Sequence, residues 1–137
     1  MSSTLFTPYK LGPVTLRNRT IRSAAFESMG KDFGPTRQLK DYHVAVARGG
    51  VGMTTLAYAA VCRSGLSFNK QLWLRPEIVP GLREITDAVH REGAAAAIQI
   101  GHCGNMTHWT TAGQMPIGAS TGFNLYAYTP CLLYTSP

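Results

Sequence analysis

The sequence predicts an α/β fold, namely a (β/α)8 TIM barrel of which about the first three β/α units are present. Strand-like and helix-like apolar patterns alternate along the chain, which implies parallel strands joined by right-handed crossovers. The turn after the first strand, residues 26–30, lacks the GxGxxG pattern of a doubly wound dinucleotide site, the other fold that begins this way. The chain has 137 residues, whereas a complete barrel needs roughly 250.

The elements of the first half are predicted from apolar periodicity and from the positions of proline, glycine and capping residues. Residues 5–16 are short apolar pieces interrupted by proline and glycine, which is typical of a hairpin or an extended lead-in. Thr20–Ala25 is a candidate strand, and residues 26–37 are predicted to form a loop. A helix follows, with Thr36 in its N-cap region, apolar residues at helical spacing and Gly49-Gly50 at its end.

The second half repeats this order. Val51–Tyr58 is a β-branched run of strand length, and residues 59–75 are predicted to form a long polar loop. A second helix has Pro80 in its first turn and Gly93 at its end, and Ala94–Ile100 is a third strand. The periodicity then fades, so the chain is interpreted as truncated.

In a barrel of this kind the chemistry lies in the loops that follow the strands. The segments that should carry the function are therefore Ser23–Ser28, Leu56–Ala60 and Gln99–Asn105.

The charge balance is basic but not clustered. Lys and Arg number 13 against 7 Asp and Glu, a net charge of +6. The densest group, Arg17, Arg19 and Arg22, has no interleaved aromatic residues to stack on bases, so we interpret it as a solvated, phosphate-tolerant face. A nucleic-acid-binding module has only the net charge in its favour.

The remaining composition favours a soluble cytoplasmic domain without a membrane partner. Apolar residues make up 45% of the chain, enough for a core. Three widely spaced cysteines, Cys62, Cys103 and Cys131, indicate a reducing compartment more than a disulfide framework. The polar N-terminal segment lacks the apolar run of a signal peptide, and no stretch has the length of a membrane span.

Three motifs occur in order along the chain. Leu16-Arg17-Asn18-Arg19 precedes the first strand, Gly49–Met53 reads GGVGM, and Ile98–Gly104 reads IQIGHCG. They resemble, in the same order, the L-x-N-R motif, the GGVGL stretch and the third-strand end Q-L-x-H-x-G of the Old Yellow Enzyme, or NADH:flavin oxidoreductase, family. Met115–Ser120 resembles the PSA segment of that family. We therefore predict that residues 1–130 are the N-terminal part of an FMN-binding barrel domain.

The last seven residues, CLLYTSP, match nothing in that family. They are similar to translated adapter sequence, and residues 131–137 are predicted to be a non-native tail.

The resemblance implies that FMN lies across the carboxyl ends of the strands. It places one group of residues against the cofactor, namely Ser23, Ala24, Ala25, Phe26, Tyr58 and Gln99. Gln99 would pair its amide with the flavin pyrimidine edge, which presents both a donor and an acceptor. The alternatives are plain packing for Tyr58 and the small residues, and a Gln99 bonded to backbone or water.

Two positions depart from the family. Phe26 stands where a Thr or Cys commonly tunes the flavin, so it would only shield the ring from water. Asn105 replaces a frequent Arg. His102 matches the family's histidine, and we expect it to support the loop through hydrogen bonds. His43 and His90, on helices, are interpreted as surface or packing residues.

The resemblance also implies the reaction, in which NADH or NADPH reduces the flavin and the flavin reduces an activated alkene, typically an enone. The carbonyl-binding His/Asn pair, the Tyr proton donor and the phosphate-binding loops of the family lie further along, so no catalytic residue is assigned here. One branch of the family carries an iron–sulfur cluster on downstream cysteines, whereas Cys62 and Cys103 lack its tight spacing. The sequence leaves the oligomeric state open.

Three alternatives remain. His102, Cys103 and His108 could form a metal site, although their spacing matches no standard zinc pattern. The polypeptide could be a non-catalytic, incomplete fragment whose exposed strand edges favour aggregation. It could also belong to another flavin- or phosphate-binding barrel, such as a dihydroorotate-dehydrogenase-like enzyme.

Overall fold

A computed structural model describes residues 3–125 and 128–133 of the chain. Its elements in chain order are β1 (Tyr9–Leu11), β2 (Val14–Leu16), β3 (Ile21–Arg22), α1 (Arg37–Arg48), β4 (Met53–Ala60), β5 (Leu72–Trp73), α2 (Val79–Arg91), β6 (Ala95–Gly101), α3 (Trp109–Ala112), β7 (Ile117–Gly118), β8 (Gly122–Asn124) and β9 (Thr129–Leu133). The predicted order of three strands alternating with two helices is confirmed by β3, α1, β4, α2 and β6.

The N-terminal segment forms the predicted hairpin. β1 and β2 pair antiparallel, with Tyr9 opposite Leu16. Gly12 in the turn has a φ of 57°, a left-handed conformation that glycine adopts without steric cost.

The central sheet is parallel and is built around β4. β6 pairs along one edge of β4 from Met53 to Ala60. β3 pairs with the start of β4, and β5 pairs with its last two residues, so these two short strands share the other edge. In the described part of the chain these strands form an open sheet.

Two sequence predictions for this sheet are wrong. The predicted strand Thr20–Ala25 is reduced to Ile21–Arg22, because the chain leaves the edge of β4 after Arg22. The predicted polar loop 59–75 contains β5 and several fully buried side chains, including Leu66 and Gln71. A strand of two residues is too short to produce a periodic pattern, so the sequence offered no signal for it.

Both helices pack on one face of the sheet. The buried residues of this layer form a single apolar cluster, namely Leu39, Ala47, Leu56, Ala59, Leu72, Ile85, Val89 and Ala94. The Thr36 hydroxyl caps α1 by accepting the Leu39 N–H at 3.2 Å, as predicted. Pro80 lies in the first turn of α2, also as predicted. Over the described residues, no helix is both long enough and apolar enough to cross a membrane.

Arg17 joins the carboxyl ends of the two helices. Its Nε donates to the Val51 carbonyl at 3.0 Å and its Nη1 to the Glu92 carbonyl at 2.7 Å, while Nη2 donates to the Ala47 carbonyl. A guanidinium is favourable there because helix carboxyl ends carry unpaired carbonyls and partial negative charge.

The interpretation of the arginine cluster as a solvated face is therefore wrong for Arg17. It is also wrong for Arg22, whose Nη1 donates to Glu27 and to the Thr55 carbonyl. Both side chains satisfy buried polar groups through contacts between residues distant in sequence, which a count of charges does not detect. Arg19 is exposed, with its guanidinium 4.9 Å from the centre of the Tyr9 ring.

The C-terminal segment forms a small separate sheet. β9 pairs parallel with β7 and antiparallel with β8, and Cys131 is buried within it. These strands are too short to show periodicity, which explains the faded pattern. Residues 131–133 of the predicted tail end β9, and residues 134–137 lie outside the described residues, so the tail stays a prediction.

Candidate functional site

β4 and β6 end side by side at the carboxyl edge of the parallel sheet, with Ala60 opposite Gly101. β3 lies on the other side of β4 and ends earlier, with Arg22 opposite Thr54. The chain after β3 continues towards the carboxyl edge, since the Phe26 ring contacts the Tyr58 ring on β4. Of the other two segments that the sequence singled out, Leu56–Ala60 lies within β4, and Gln99–Asn105 begins in β6 and continues beyond it.

Gln99 lies near the end of β6, in the stretch that pairs with Leu56–Ala59 of β4. Its neighbours Ala96 and Ile98 pack against the helix-side core, so the alternation of a strand directs Gln99 to the opposite face. There it lines an open cavity of about 270 Å³ with Tyr58 and residues 100–103. Among residues 3–125 and 128–133, its side chain has no hydrogen-bond partner.

Phe26 connects the end of β3 to this cavity. Its ring lies 5.4 Å from the Tyr58 ring, measured between centroids, and stacks at 4.9 Å on Phe68. Ser23, Ala24 and Ala25 precede it without a side chain larger than a hydroxymethyl group. The structure therefore brings Phe26, Tyr58 and Gln99 to one continuous surface.

His102 is held by hydrogen bonds just beyond Gln99. Its Nδ1 accepts the Gly104 N–H at 2.9 Å, so the neutral ring carries its proton on Nε2, which lies 3.1 Å from the Ser64 hydroxyl. It also borders a second cavity of about 620 Å³, lined by Cys62, Ser64 and residues 117–119 among others. These bonds fit the predicted loop-supporting role, which stays a prediction.

The three candidate metal ligands, His102, Cys103 and His108, do not form a metal site. His102 bonds Ser64, and His108 Nδ1 lies 2.7 Å from the Thr110 hydroxyl. In the described ranges, no group of three or more His, Cys, Asp or Glu side chains could hold a metal ion.

A buried ionic network lies beside the same strand ends, and sequence reasoning missed it. Glu27, whose side chain is 2% exposed, accepts a hydrogen bond from Arg22 Nη1 at 2.8 Å and from the Ala57 N–H at 3.0 Å. His43 Nε2 lies 3.3 Å from the same carboxylate. The His43 Nδ1 lies 2.8 Å from the Thr54 hydroxyl.

His43 is thus a buried packing residue, as one of its two interpretations held, but with a polar role. The only available signal was a carboxylate in a loop before a helix that carries a histidine on its buried face. That pattern is too common to be read from one sequence.

The pKa of Glu27 is lowered. Burial raises the pKa of this carboxyl, but the contact with His43 and the bond from the Ala57 N–H outweigh burial and hold the pKa below its usual 4.5. The carboxylate is therefore ionised at neutral pH, as its contact with the Arg22 guanidinium requires.

We expect this network to make the fold acid-sensitive. The pKa of Glu27 is lower in the folded chain than the unfolded 4.5, so its stabilisation is complete above that pH and is lost as the pH falls through the folded value. Urea unfolding of wild type and Glu27→Gln should differ more at about pH 7 than at about pH 3.5. Glu84→Gln, at a carboxylate that is 70% exposed, is the matched control. An equal difference at both pH values would contradict the expectation.

Comparison with known proteins decides the family. Residues 4–130 match the NADH:flavin oxidoreductase / NADH oxidase family. The chain belongs to this family. The alternative of a dihydroorotate-dehydrogenase-like barrel is thereby set aside.

Two curated bacterial proteins illustrate the relationship. The chain is 48% identical over 100 residues to the 4,4'-dithiodibutanoate disulfide reductase of Rhodococcus erythropolis, covering 73% of this chain and 25% of that protein. It is 45% identical over 117 residues to a probable N-methylproline demethylase of Rhizobium meliloti, covering 84% and 17%. The chain therefore spans a quarter or less of the length of these family members.

The fold is that of the family's barrel. The Old Yellow Enzyme homologue from Zymomonas mobilis superposes with a TM-score of 0.84 at 22% identity, over 97% of this chain and 40% of that one. The predicted fold class, the opening units of a (β/α)8 barrel, is confirmed, and the strand ends described above are those of a family barrel sheet.

Proposed function

We propose that this chain supplies part of the FMN-binding surface of an NADH- or NADPH-dependent oxidoreductase that reduces an activated alkene. The observation that carries the proposal is the convergence of Phe26, Tyr58 and Gln99 at the carboxyl edge of the sheet. Family membership supports the flavin and the reduced nicotinamide.

The residues at this edge suit a flat, polar-edged ring. The Gln99 amide offers one donor and one acceptor, both unused within the described part of the chain, which complements a pyrimidine edge. The backbone of Ser23–Ala25 is open to close approach because its side chains are small. Phe26 and Tyr58 provide apolar area beside it.

The bound flavin would supply the hydride relay between the nicotinamide and the alkene. The chain's own residues would bind and orient it, with Gln99 fixing the pyrimidine edge and the Ser23–Phe26 backbone and Tyr58 bordering the ring. His102 would hold the loop after β6 in place through Ser64 and Gly104. No residue of this chain is assigned to proton transfer or to the binding of the substrate carbonyl.

A disulfide is a second candidate substrate class, favoured by the 48% identity to a disulfide reductase. The two classes are separated by oxidation of the reduced nicotinamide in the presence of either an enone or a small dialkyl disulfide. Oxidation of the reduced nicotinamide with the disulfide but not with the enone would show that a disulfide, and not an alkene, is the substrate.

The remaining parts of the proposal follow from the sequence. We place the protein in the cytoplasm, with a small-molecule partner and neither nucleic acid nor membrane. An iron–sulfur cluster, if present in the full-length protein, would use cysteines outside this chain. Residues 131–137 are proposed to be a non-native tail, and the oligomeric state is left open.

Gln99→Leu in the full-length protein should weaken FMN binding by roughly 5- to 100-fold, because the flavin edge would lose a bidentate partner. Flavin absorbance per protein, followed by FMN titration of the flavin-free protein, measures this. Gln38→Leu, the same change at an exposed position of α1, is the control and should bind FMN as wild type does. Unchanged FMN affinity in Gln99→Leu would contradict the proposed contact.

A further inference from the structure

We propose that Glu27 is a positioning residue for the flavin site, which sets the placement of the end of β3 relative to the end of β4. This inference rests on the proposed function, since those two strand ends carry the backbone assigned to FMN. It adds a residue that is not itself expected to touch the cofactor.

The Glu27 carboxylate is shared by groups from two strands and a helix. Oε1 accepts from Arg22 at the end of β3, at 2.8 Å, and lies 3.3 Å from Nε2 of His43 on α1. Oε2 accepts from the Ala57 N–H on β4, at 3.0 Å. One buried side chain thereby connects two strands and a helix at the level of the proposed site.

The pairing of β3 with β4 stops well before β4 ends. β3 pairs with β4 only as far as Arg22 and Thr54, and β5 occupies that edge only from Ala59. In the described chain, no strand pairs with this edge of β4 between Thr54 and Ala59. Arg22 Nη1 donates to the Thr55 carbonyl at 2.6 Å, and Glu27 accepts the Ala57 N–H.

The side chains of Arg22 and Glu27 therefore take the place of a paired strand directly beyond the end of β3. They satisfy backbone groups that would otherwise be buried without partners, which is costly. Ser23–Phe26 is thus free to leave the sheet and follow the path that the proposed flavin contact requires.

A carboxylate suits this position better than an amide. Arg22 Nη1 donates to one oxygen of Glu27 and the Ala57 N–H donates to the other, while Nε2 of His43 lies 3.3 Å away outside hydrogen-bond geometry. The Thr54 hydroxyl can donate to Nδ1 of His43, which leaves the proton of a neutral imidazole on Nε2, facing Glu27. A glutamine would present its NH2 group to at least one of these donors in either orientation.

The test compares FMN binding and the flavin absorption spectrum in full-length variants. Glu27→Gln should weaken FMN binding about tenfold or more and shift the visible flavin bands, because the strand ends move while Gln99 remains intact. Glu84→Gln, on the exposed face of α2, should change neither. Wild-type affinity and spectrum in a folded Glu27→Gln protein would overturn the proposal.

A double variant tests the proposal in case the Glu27→Gln protein does not fold. In Arg22→Met/Glu27→Gln the fixed donor is gone, so the glutamine oxygen can keep the Ala57 N–H. Its NH2 can then donate to Nε2 of His43, because the imidazole proton can move to Nδ1 and donate to the Thr54 hydroxyl. This double variant should bind FMN as tightly as Arg22→Met alone. A further tenfold loss of FMN affinity relative to Arg22→Met would contradict the proposal that Glu27 acts by accepting from Arg22 and Ala57 together.

Failure of the proposed function gives a different result. If the wild-type protein binds no FMN, the flavin assignment fails. The contact between Glu27 and the Ala57 N–H is then tested by hydrogen exchange of the Ala57 amide. That exchange should be at least about tenfold faster in Glu27→Gln than in wild type. Equal exchange rates would overturn the role of Glu27 independently of any cofactor.

Discussion

Arg17→Met should lower the free energy of unfolding of the full-length protein by about 3–5 kcal/mol, among the largest effects of any single substitution here. The guanidinium donates to three carbonyls, those of Ala47, Val51 and Glu92, at the carboxyl ends of both helices and just before β4. Methionine fills part of the volume but takes the donor away from the Val51 and Glu92 carbonyls, while the Ala47 carbonyl keeps the Gly50 N–H. It also removes the positive charge that opposes two helix dipoles. Urea unfolding at neutral pH measures the loss.

The matched control is Arg19→Met, two residues along the same motif. Arg19 is exposed, and its main contact is the face of the Tyr9 ring, which is worth about 0.5–1 kcal/mol at such a site. Equal losses in the two variants would show that Arg17 does not join the helices as described.

Gly52→Ala should destabilise the protein by at least about 3 kcal/mol. A Cβ on Gly52 would lie 2.5 Å from the backbone oxygen of Asn18 and 2.9 Å from its Oδ1. The backbone oxygen cannot move without breaking the junction in which Asn18 Nδ2 also donates to the Gly50 carbonyl at 2.7 Å. Thermal unfolding and urea titration report the loss.

Gly101→Ala is the control for this substitution. Gly101 ends β6, as Gly52 directly precedes β4, but a Cβ on Gly101 would meet nothing within 4 Å. Its stability should be close to that of wild type, or slightly higher, because alanine restricts the unfolded chain. A Gly52→Ala protein as stable as Gly101→Ala would contradict the close approach between Gly52 and Asn18.

These two predictions give the family motifs a physical meaning. The L-x-N-R and GGVG segments contact one another at the end of the sheet opposite the proposed flavin surface, through Arg17, Asn18, Gly50 and Gly52. In barrels, that end serves stability and the carboxyl end serves chemistry. The motifs that identify the family are thus largely structural.

The parts of the fold that the sequence predicts are those with local causes. The cap at Thr36, the stop at Gly49-Gly50 and the apolar faces of α1 and α2 are set within a few residues of each other. The placement of Gln99 on the side of the sheet away from the helices likewise follows from strand alternation.

The parts that escape prediction depend on distant contacts. β3 ends early because the side chains of Arg22 and Glu27 take over the edge of β4, and that edge lies 30 residues or more along the chain. The burial of His43 beside Glu27 depends on how α1 packs against β4. A single sequence shows a charge and a histidine at these positions, and neither type indicates its partner.

The most direct test of the account is a crystal structure of the full-length protein with FMN bound. We expect the Gln99 side-chain amide to lie about 3 Å from the flavin pyrimidine edge, with the Ser23–Phe26 backbone beside the same ring. A cofactor bound elsewhere, or a Gln99 amide bonded only to protein or water, would contradict the central claim.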